Sequence, residues 1–377
     1  MTGSHYLWSH SLAQRIGMLK PKTIRVAFLA VQPDYGTFRY RCYNPVDAIN
    51  KHSNRISASY FFYKDLAHID NLAQYADVLV VSRCPYDAKL DRLFRRFKNA
   101  RKKIIFDIDD LVFDAKHATL VASNLGYALE KADLNNWTAF ICSIGASLNA
   151  ADEVVTTTNY LGSLIRESTS APVHVVPNTF NNAQQQISDA SLKLPRRDRK
   201  GLRIGYFSGS LSHSHDFSIV KRHIQKFLEI SRDSRLTVVG HLEIPPELSS
   251  VRDRIVVEPF MDFLALQDEL LNVDLNIVPL QESLFTWSKS ELKFFEAALV
   301  ETPTLASRNP VFSEAIEEGV TGFLTDSTGW LDALIEIEGL PKKKLEKVGR
   351  AARKNTHENY SPQKLTLKWE KVLGFKN

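Results

Sequence analysis

Two series of short, continuous apolar runs constrain the fold of this chain. The first series is IRVAFLAV (24–31), ISASYFFY (56–63), DVLVVS (77–82), KIIFDID (103–109), EVVTTT (153–158) and PVHVVPN (172–178). The second is LRIGYFSG (202–209), LTVVG (236–240), RIVVEPF (254–260), VDLNIVPL (273–280), TPTLAS (302–307) and GFLTD (322–326). Runs this rich in aliphatic residues predict strands buried on both faces, and helical patterns lie between them. Each series therefore predicts a parallel sheet covered by helices. The polar, basic stretch DASLKLPRRDRKG (189–201), with Pro195, separates the two and predicts a linker. The expected fold class is α/β, with two Rossmann-like doubly wound domains facing across a cleft. We place the first domain at 1–192, the linker at 193–201 and the second domain at 202–358, with a last helical segment at 359–377.

A chain of 377 residues with 44% hydrophobic content can bury two cores without disulfide support. Its three cysteines, Cys42, Cys84 and Cys142, form no C-x-x-C pair and are odd in number, which suits a reducing compartment and argues against zinc. The net charge of +5 is compatible with nucleotides, anionic lipid or nucleic acid and selects none of them. No apolar run reaches the roughly 18 residues of a membrane span. The opening residues MTGSHYLWSHSLAQRIGMLKPK lack the apolar core of a secretion signal. The expectation is a cytoplasmic protein.

In doubly wound sheets, ligands bind beyond the carboxyl ends of the strands. After LRIGYFSG, the small residues Ser208, Gly209 and Ser210 predict a turn whose backbone N–H groups can approach a phosphate. His215 and Asp216 follow at the next helix start. An ordinary strand–helix turn capped by Asp216 reads equally well.

The stretch FTWSKSELKFFEAALVETPTLAS (285–307) is more specific. Ser288 and Glu291 fit an S-x-x-E capping box, which predicts a helix starting near Lys289. Leu292, Phe295 and Leu299 then share an apolar face, while Lys289, Lys293 and Glu296 form a polar stripe, with Ser290 beside it. Two cations next to free N–H groups would trap an anion such as a diphosphate, and Glu296 would accept hydrogen bonds from a ribose diol. The alternative is a solvated face in which Glu296 pairs with Lys293.

Two segments of the first domain also point toward the cleft. In VQPDYGTFRYRCYNP, Gly36 lets the loop approach a ligand, and Arg39 and Arg41 are placed to bind an anionic acceptor or the diphosphate; the alternative is solvated arginines. In FDIDDLVFD, Asp107, Asp109 and Asp110 crowd three carboxylates into four residues. They would hold sugar hydroxyls, orient a nucleophile, or cap the next element. DRLFRRFKNARKK (91–103) predicts a basic amphipathic helix with Leu93, Phe94 and Phe97 inward. Arg92, Arg95, Arg96, Lys98, Arg101, Lys102 and Lys103 would then be exposed. It is either a solvated cover of the sheet or a contact for anionic phospholipid. No nucleic-acid module accompanies the charge.

KFFEAALVETPTLAS resembles the K-x-x-E-x-x-x-x-G-x-P-x-x-A-S segment of retaining glycosyltransferases with the two-domain GT-B fold, in particular glycosyltransferase family 4 and its relatives. RIGYFSGSLSHSHDF resembles their phosphate loop, DLNIVPL the strand before the donor helix, and EEGVTGFLTD, with Gly319 and Gly322, their G-x-x-G-F-L turn. The likeness spans about 200 to 330. ADEVVTTTNYLGSLIRE and VHVVPN resemble the last strands of the first domain, and SPQKLTLKWEKVLGF resembles the helix that crosses back onto it. The resemblance implies transfer of a sugar from a UDP-, GDP- or dTDP-linked donor, with retention and no required metal or other cofactor. The second domain would bind the donor, and the first a glycan, lipid-linked or protein acceptor.

The catalytic set implied here is Asp109, Asp110, His215 and Lys293. The donor set is Gly36, Ser208, Gly209, Ser210, Lys289, Ser290, Lys293 and Glu296, with Arg39 and Arg41 for acceptor or phosphate. Three places depart from the family pattern. Ser288 stands where the first glutamate of the pair is usual, Ser210 and His215 replace the loop's basic residues, and Glu301 occupies a helix-ending glycine position. A nucleotide-sugar epimerase and a non-catalytic binding subunit are the rival readings.

Overall fold

The computed structural model describes residues 7–34, 36–69, 72–125, 131–194, 200–209 and 213–375. Among them, six strands form the first sheet: β1 (Ile24–Ala30), β2 (Ile56–Phe62), β3 (Val78–Ser82), β4 (Lys103–Ile108), β5 (Glu153–Thr156) and β6 (Val173–Val175). Six more form the second: β7 (Arg203–Ser208), β8 (Arg235–Gly240), β9 (Ile255–Glu258), β10 (Leu275–Val278), β11 (Thr304–Ser307) and β12 (Phe323–Thr325). Each apolar run of the sequence supplies one strand. Both sheets are wholly parallel, in the orders β2-β1-β3-β4-β5-β6 and β12-β11-β10-β7-β8-β9. The fold is a pair of Rossmann-like domains of GT-B type.

Cores lie on both faces of each sheet. On one face of the first, Leu29, Leu79 and Phe106 pack with Leu93, Phe94 and Phe97 of the helix Ala88–Asn99. That helix is basic as expected, and Arg92, Arg95, Arg96 and Lys98 are exposed. It ends at Asn99 rather than 103, however. Lys102 donates to the carbonyls of Ala73 and Ala76 at 2.7 Å, and Lys103 sits in β4 against Glu153 at 2.6 Å. Two of the expected exposed cations are therefore committed internally.

The opposite face holds Val26, Phe28 and Tyr60. Phe38, Tyr43 and the helix Asn44–His52 cover part of it, and the helix Pro362–Val372 the rest, where Trp369 meets Phe28 edge-on at 5.1 Å. Glu370 of this helix accepts from the Ser53 hydroxyl at 2.6 Å. Among the described residues, no helix is long and apolar enough to cross a membrane.

The strand orders place the ligand crevices. In the first sheet the order reverses between β1 and β3, and in the second between β7 and β10. Crevices open beyond the carboxyl ends of strands at such reversals. Here the two crevices face one another.

Candidate functional site

Two adjoining cavities occupy the space between the crevices. One, of about 300 Å³, is lined by Gly36, Arg39, Tyr40, Ser208, Gly240 at the end of β8, and Phe260. Phe207, Val239, Met261, Phe263 and Leu266 make its walls largely apolar, with Lys293 and Glu296 at one side. The other, of about 320 Å³, carries Arg83, Asp109, Asp110, Lys289 and Lys293, together with Ser290, among apolar side chains such as Leu280, Phe285 and Phe312. Gly36, Tyr40, Leu292 and Lys293 border both.

Lys293 stands at the junction. Its ammonium lies 5.6 Å from the Tyr206 ring centroid, and no acceptor among the described residues is within hydrogen-bonding distance. Burial pushes its pKa down to about 8, against the pull of Asp216. Lys289 reaches the Asp216 carboxylate at 3.4 Å and lies over the Phe285 ring.

The helix bearing Lys293 begins later than its capping-box pattern predicts. It spans Leu292–Ala298. Ser288 instead ends the preceding turn Leu284–Trp287, donating its hydroxyl to the Leu284 carbonyl at 2.7 Å. Glu291 is buried and gives the helix no side-chain cap. Lys289 therefore precedes the helix, and at seven residues the helix itself contributes little dipole. The lysine charges, not the helix end, are what an anion would meet.

Glu296 lines the first cavity and is not paired with Lys293. Its Oε1 already accepts from Arg39 Nη2 at 3.1 Å and from the Tyr40 hydroxyl at 2.5 Å, so residues of the first domain clasp it across the cleft. The Arg39 guanidinium is sandwiched 4.0 Å from the Tyr40 ring and 4.2 Å from the Phe263 ring. Arg39 and Tyr40 come from the one-turn π-helix Arg39–Tyr43, an element that recurs at functional sites.

Two residues change role. Arg41, expected to meet an anionic ligand, is 1% exposed. Its fork closes on both oxygens of Asp107, at 2.7 and 2.8 Å, and on Val176 and Asn178. Asp107, itself fully buried, is the counterion of Arg41 rather than a sugar ligand or a cap, and burial raises its pKa to about 6 despite that partner. β6 extends only to Val175, although the Val176 amide still donates to Thr156 at 2.8 Å; Pro177, which has no N–H, ends the ladder.

Asp109 and Asp110 remain at the cavity. Arg83 Nη1 lies 3.4 Å from one and 3.3 Å from the other, and Thr37 donates to Asp109 at 2.9 Å. Burial raises the pKa of Asp110, with Arg83 opposing. Sequence reasoning missed Arg83, although it directly follows β3 at the chain reversal. Its φ of +49° is rare for a non-glycine residue. Asp216, which its sequence position marks only as a cap, is 3% exposed and holds Lys289. Asn178, also missed, donates to the Ser290 hydroxyl at 2.9 Å.

The remaining expected residues divide. The Gly36 amide donates to Asp34 at 2.7 Å, and the glycine borders both cavities. Ser208 spends its hydroxyl on the His241 carbonyl at 2.7 Å. A Cβ at Gly209 would meet nothing within 4 Å, so sterics do not demand glycine there. Ser210 lies outside the described residues. His215 is exposed, and its carbonyl accepts from Gln281 at 3.0 Å.

With this geometry in place, the chain can be compared with known proteins. The family model for glycosyl transferases group 1 matches residues 203–338. That is the domain carrying both lysines. No curated protein matches the chain. Among solved structures, Anabaena Alr3699/HepE in complex with UDP and glucose superposes with a TM-score of 0.62 at 14% identity, over 94% of this chain and 100% of that one. A candidate UDP-N-acetylglucosamine 2-epimerase from Listeria monocytogenes gives 0.52 at 13%, over 95% and 98%. TarM gives 0.54 at 13%, over 79% of this chain, which spans 55% of TarM's own length.

Proposed function

We propose that the protein transfers a sugar from a nucleotide-sugar to an acceptor hydroxyl. The observation that carries this reading is Lys293, a partly buried ammonium without a partner at the meeting point of two cavities, one walled by Phe207, Phe260 and Phe263 and the other carrying Arg83, Asp109, Asp110 and Lys289. A nucleoside fits the apolar side, beside Phe260 and Gly240. Its diphosphate falls at Lys293 and Lys289, and the sugar reaches Asp109 and Asp110. HepE, whose structure holds UDP and glucose, supports a uridine donor.

The chemistry follows from charge. As the bond between the sugar and the diphosphate breaks, negative charge grows on the departing phosphate, and the two lysines stabilise it. The acceptor hydroxyl lies on the Asp109 and Asp110 side. Retention, in which the departing phosphate takes the acceptor's proton, rests on the resemblance of KFFEAALVETPTLAS to retaining enzymes. No metal is required by this scheme.

Calorimetric titration with UDP, GDP and dTDP tests the binding half. One of them binds, and Lys293→Met weakens it by roughly ten- to hundredfold, as expected for a charged hydrogen bond worth about 1.5–3 kcal/mol. Equal affinity in the variant refutes the assignment. Turnover of the matching nucleotide-sugar tests the chemical half. A requirement for added acceptor marks a transferase, whereas release of an epimerised free sugar without acceptor assigns an epimerase.

A further inference from the structure

The basic helix Ala88–Asn99 takes no part in the cleft. Lys89, Arg92, Arg95, Arg96, Lys98 and, just beyond the helix, Arg101 are exposed, and Asp91 is the one acid between residues 88 and 101. Arg95 pairs with Asp91 at 2.8 Å, and Lys98 donates to the Ala150 carbonyl at 2.8 Å. That leaves the side chains of Arg92, Arg96 and Arg101 without an ion pair among the described residues. Because Leu90, Leu93, Phe94 and Phe97 face the core, helical spacing points Arg92, Arg95 and Arg96 directly away from the sheet.

The neighbours of this helix are of a different kind. The helix Lys131–Ala150 lies beside it, tied where the Tyr86 amide donates to the Ser143 carbonyl at 2.9 Å. Residues 134–150 include no Asp, Glu, Lys or Arg, and Ala139, Phe140, Cys142 and Ala146 are exposed there. The turn Leu72–Gln74 packs against the basic helix as well, and Tyr75 follows it. Tyr75 is 40% exposed and Phe140 37%. Together with Val31, they are the exposed large hydrophobic side chains among the described residues of 7–175. Exposed apolar side chains gathered in one region mark an interaction surface, and here they flank a row of arginines.

The combination selects the partner. The cations call for an anionic surface, and charge-free flanks with exposed aromatic rings suit the boundary between lipid headgroups and acyl chains. The helix Lys342–Tyr360 is also basic but lacks the second half of this pattern. It exposes no large hydrophobic side chain, and its Arg350 and Lys354 each face a glutamate one turn away, Glu346 and Glu358. We propose that the face formed by the helices Ala88–Asn99 and Lys131–Ala150 docks on an anionic phospholipid membrane, with the arginines on lipid phosphates and Phe140 and Tyr75 in the headgroup layer. A cavity of about 380 Å³ lies beside this face, lined by Val31, Pro85 and Phe140, and it shares Thr37 and Arg83 with the cavity that carries Asp109 and Asp110. On the sugar-transfer reading, which this consequence alone requires, a lipid-anchored acceptor would leave the bilayer through it.

The full chain is sedimented with vesicles of phosphatidylcholine alone and of an equal mixture with phosphatidylglycerol, at about 0.1 M and about 1 M salt. Binding is expected to the mixed vesicles only, and to be lost at the higher salt. Each cation near an anionic surface is worth about fivefold, so Arg92→Glu combined with Arg96→Glu lowers the partition coefficient about twentyfold or more. Phe140→Ser and Tyr75→Ser each lower it about fivefold. Lys343→Glu combined with Lys347→Glu makes the same charge change on exposed lysines of the second domain and keeps binding within about threefold. All four positions of the charge variants are exposed, and melting curves confirm that every variant is folded. The proposal is overturned by absence of binding to the mixed vesicles, by an equal loss in the second-domain pair, or by full binding in the arginine pair or in both aromatic variants. A DNA duplex held through Arg92 and Arg96 without any vesicle binding assigns the face to nucleic acid and overturns it too. No arm needs a nucleotide or an acceptor, so the result stands apart from the fate of the sugar-transfer reading.

Discussion

Lys293 gives the sharpest prediction, because its free and bound states differ in protonation. Burial lowers its pKa from the ordinary 10.5 to about 8. At 1.36 kcal/mol per pH unit, this corresponds to roughly 3 kcal/mol, which solvent at the partly exposed side chain reduces to about 2 kcal/mol. The sign follows from the proton count. Between about 8 and 10.5 the unfolded chain keeps the proton longer than the folded one, so stability rises with pH across that window. Below 8 the burden is fully present. Lys293→Met should therefore stabilise the free protein by about 2 kcal/mol at pH 7, and the two proteins should converge above the window.

Binding reverses the effect. A diphosphate beside Lys293 raises its pKa again, so above pH 8 each nucleotide bound takes up close to one proton. The dissociation constant should then rise toward tenfold per pH unit until the pKa of the complex is reached. Asp216, Lys289 and Glu296 surround the same ammonium and shift the curve without abolishing it. Calorimetry in two buffers of different ionisation enthalpy reads the proton uptake directly. A dissociation constant that is flat from pH 7 to about 9.5, with no uptake, would refute the placement of the phosphate at Lys293.

Three further outcomes are expected. Breaking the buried Arg41–Asp107 pair by Asp107→Asn should cost about 3–5 kcal/mol in urea unfolding, and a cost within about 0.5 kcal/mol would make the pair incidental. Glu301 holds a left-handed φ of +58°, so Glu301→Gly should raise the unfolding midpoint by about 0.5–1 kcal/mol equivalent, and a loss would show that its side chain outweighs the strain. Tyr40→Phe removes one of the two donors on Glu296 Oε1, so if Glu296 must release them to reach a ribose, nucleotide affinity should rise about fivefold; unchanged or weaker binding would count against that exchange.

The fold was legible because buried parallel strands need uninterrupted aliphatic runs, and twelve such runs exist. The site was less so, for local reasons. Ser288 and Glu291 match a capping box, but Ser288 closes the turn before it and Glu291 is drawn into an interdomain cavity. In FRYRCY nothing local distinguishes Arg39, which crosses the cleft to Glu296, from Arg41, which turns inward to Asp107. Each is fixed by a partner far along the chain, so only tertiary structure separates them. Arg83 stands alone in SRCPYD with no motif around it. Its signal is positional: it follows a strand at a chain reversal, which becomes visible only once the strand order is known.

The helix Pro362–Val372 has a consequence for synthesis on the ribosome. Trp369 completes a core whose other side is Phe28, near the opposite end of the chain. The first sheet has its last strand by Val175. At roughly 5–20 residues per second, that point is translated about 10–40 s before the cover emerges. Throughout that interval the surface over Phe28 lacks its Trp369 cover on a nascent chain that already has its strands. Such a surface invites chaperones or misassembly, and a chain released short of residue 362 would carry it permanently.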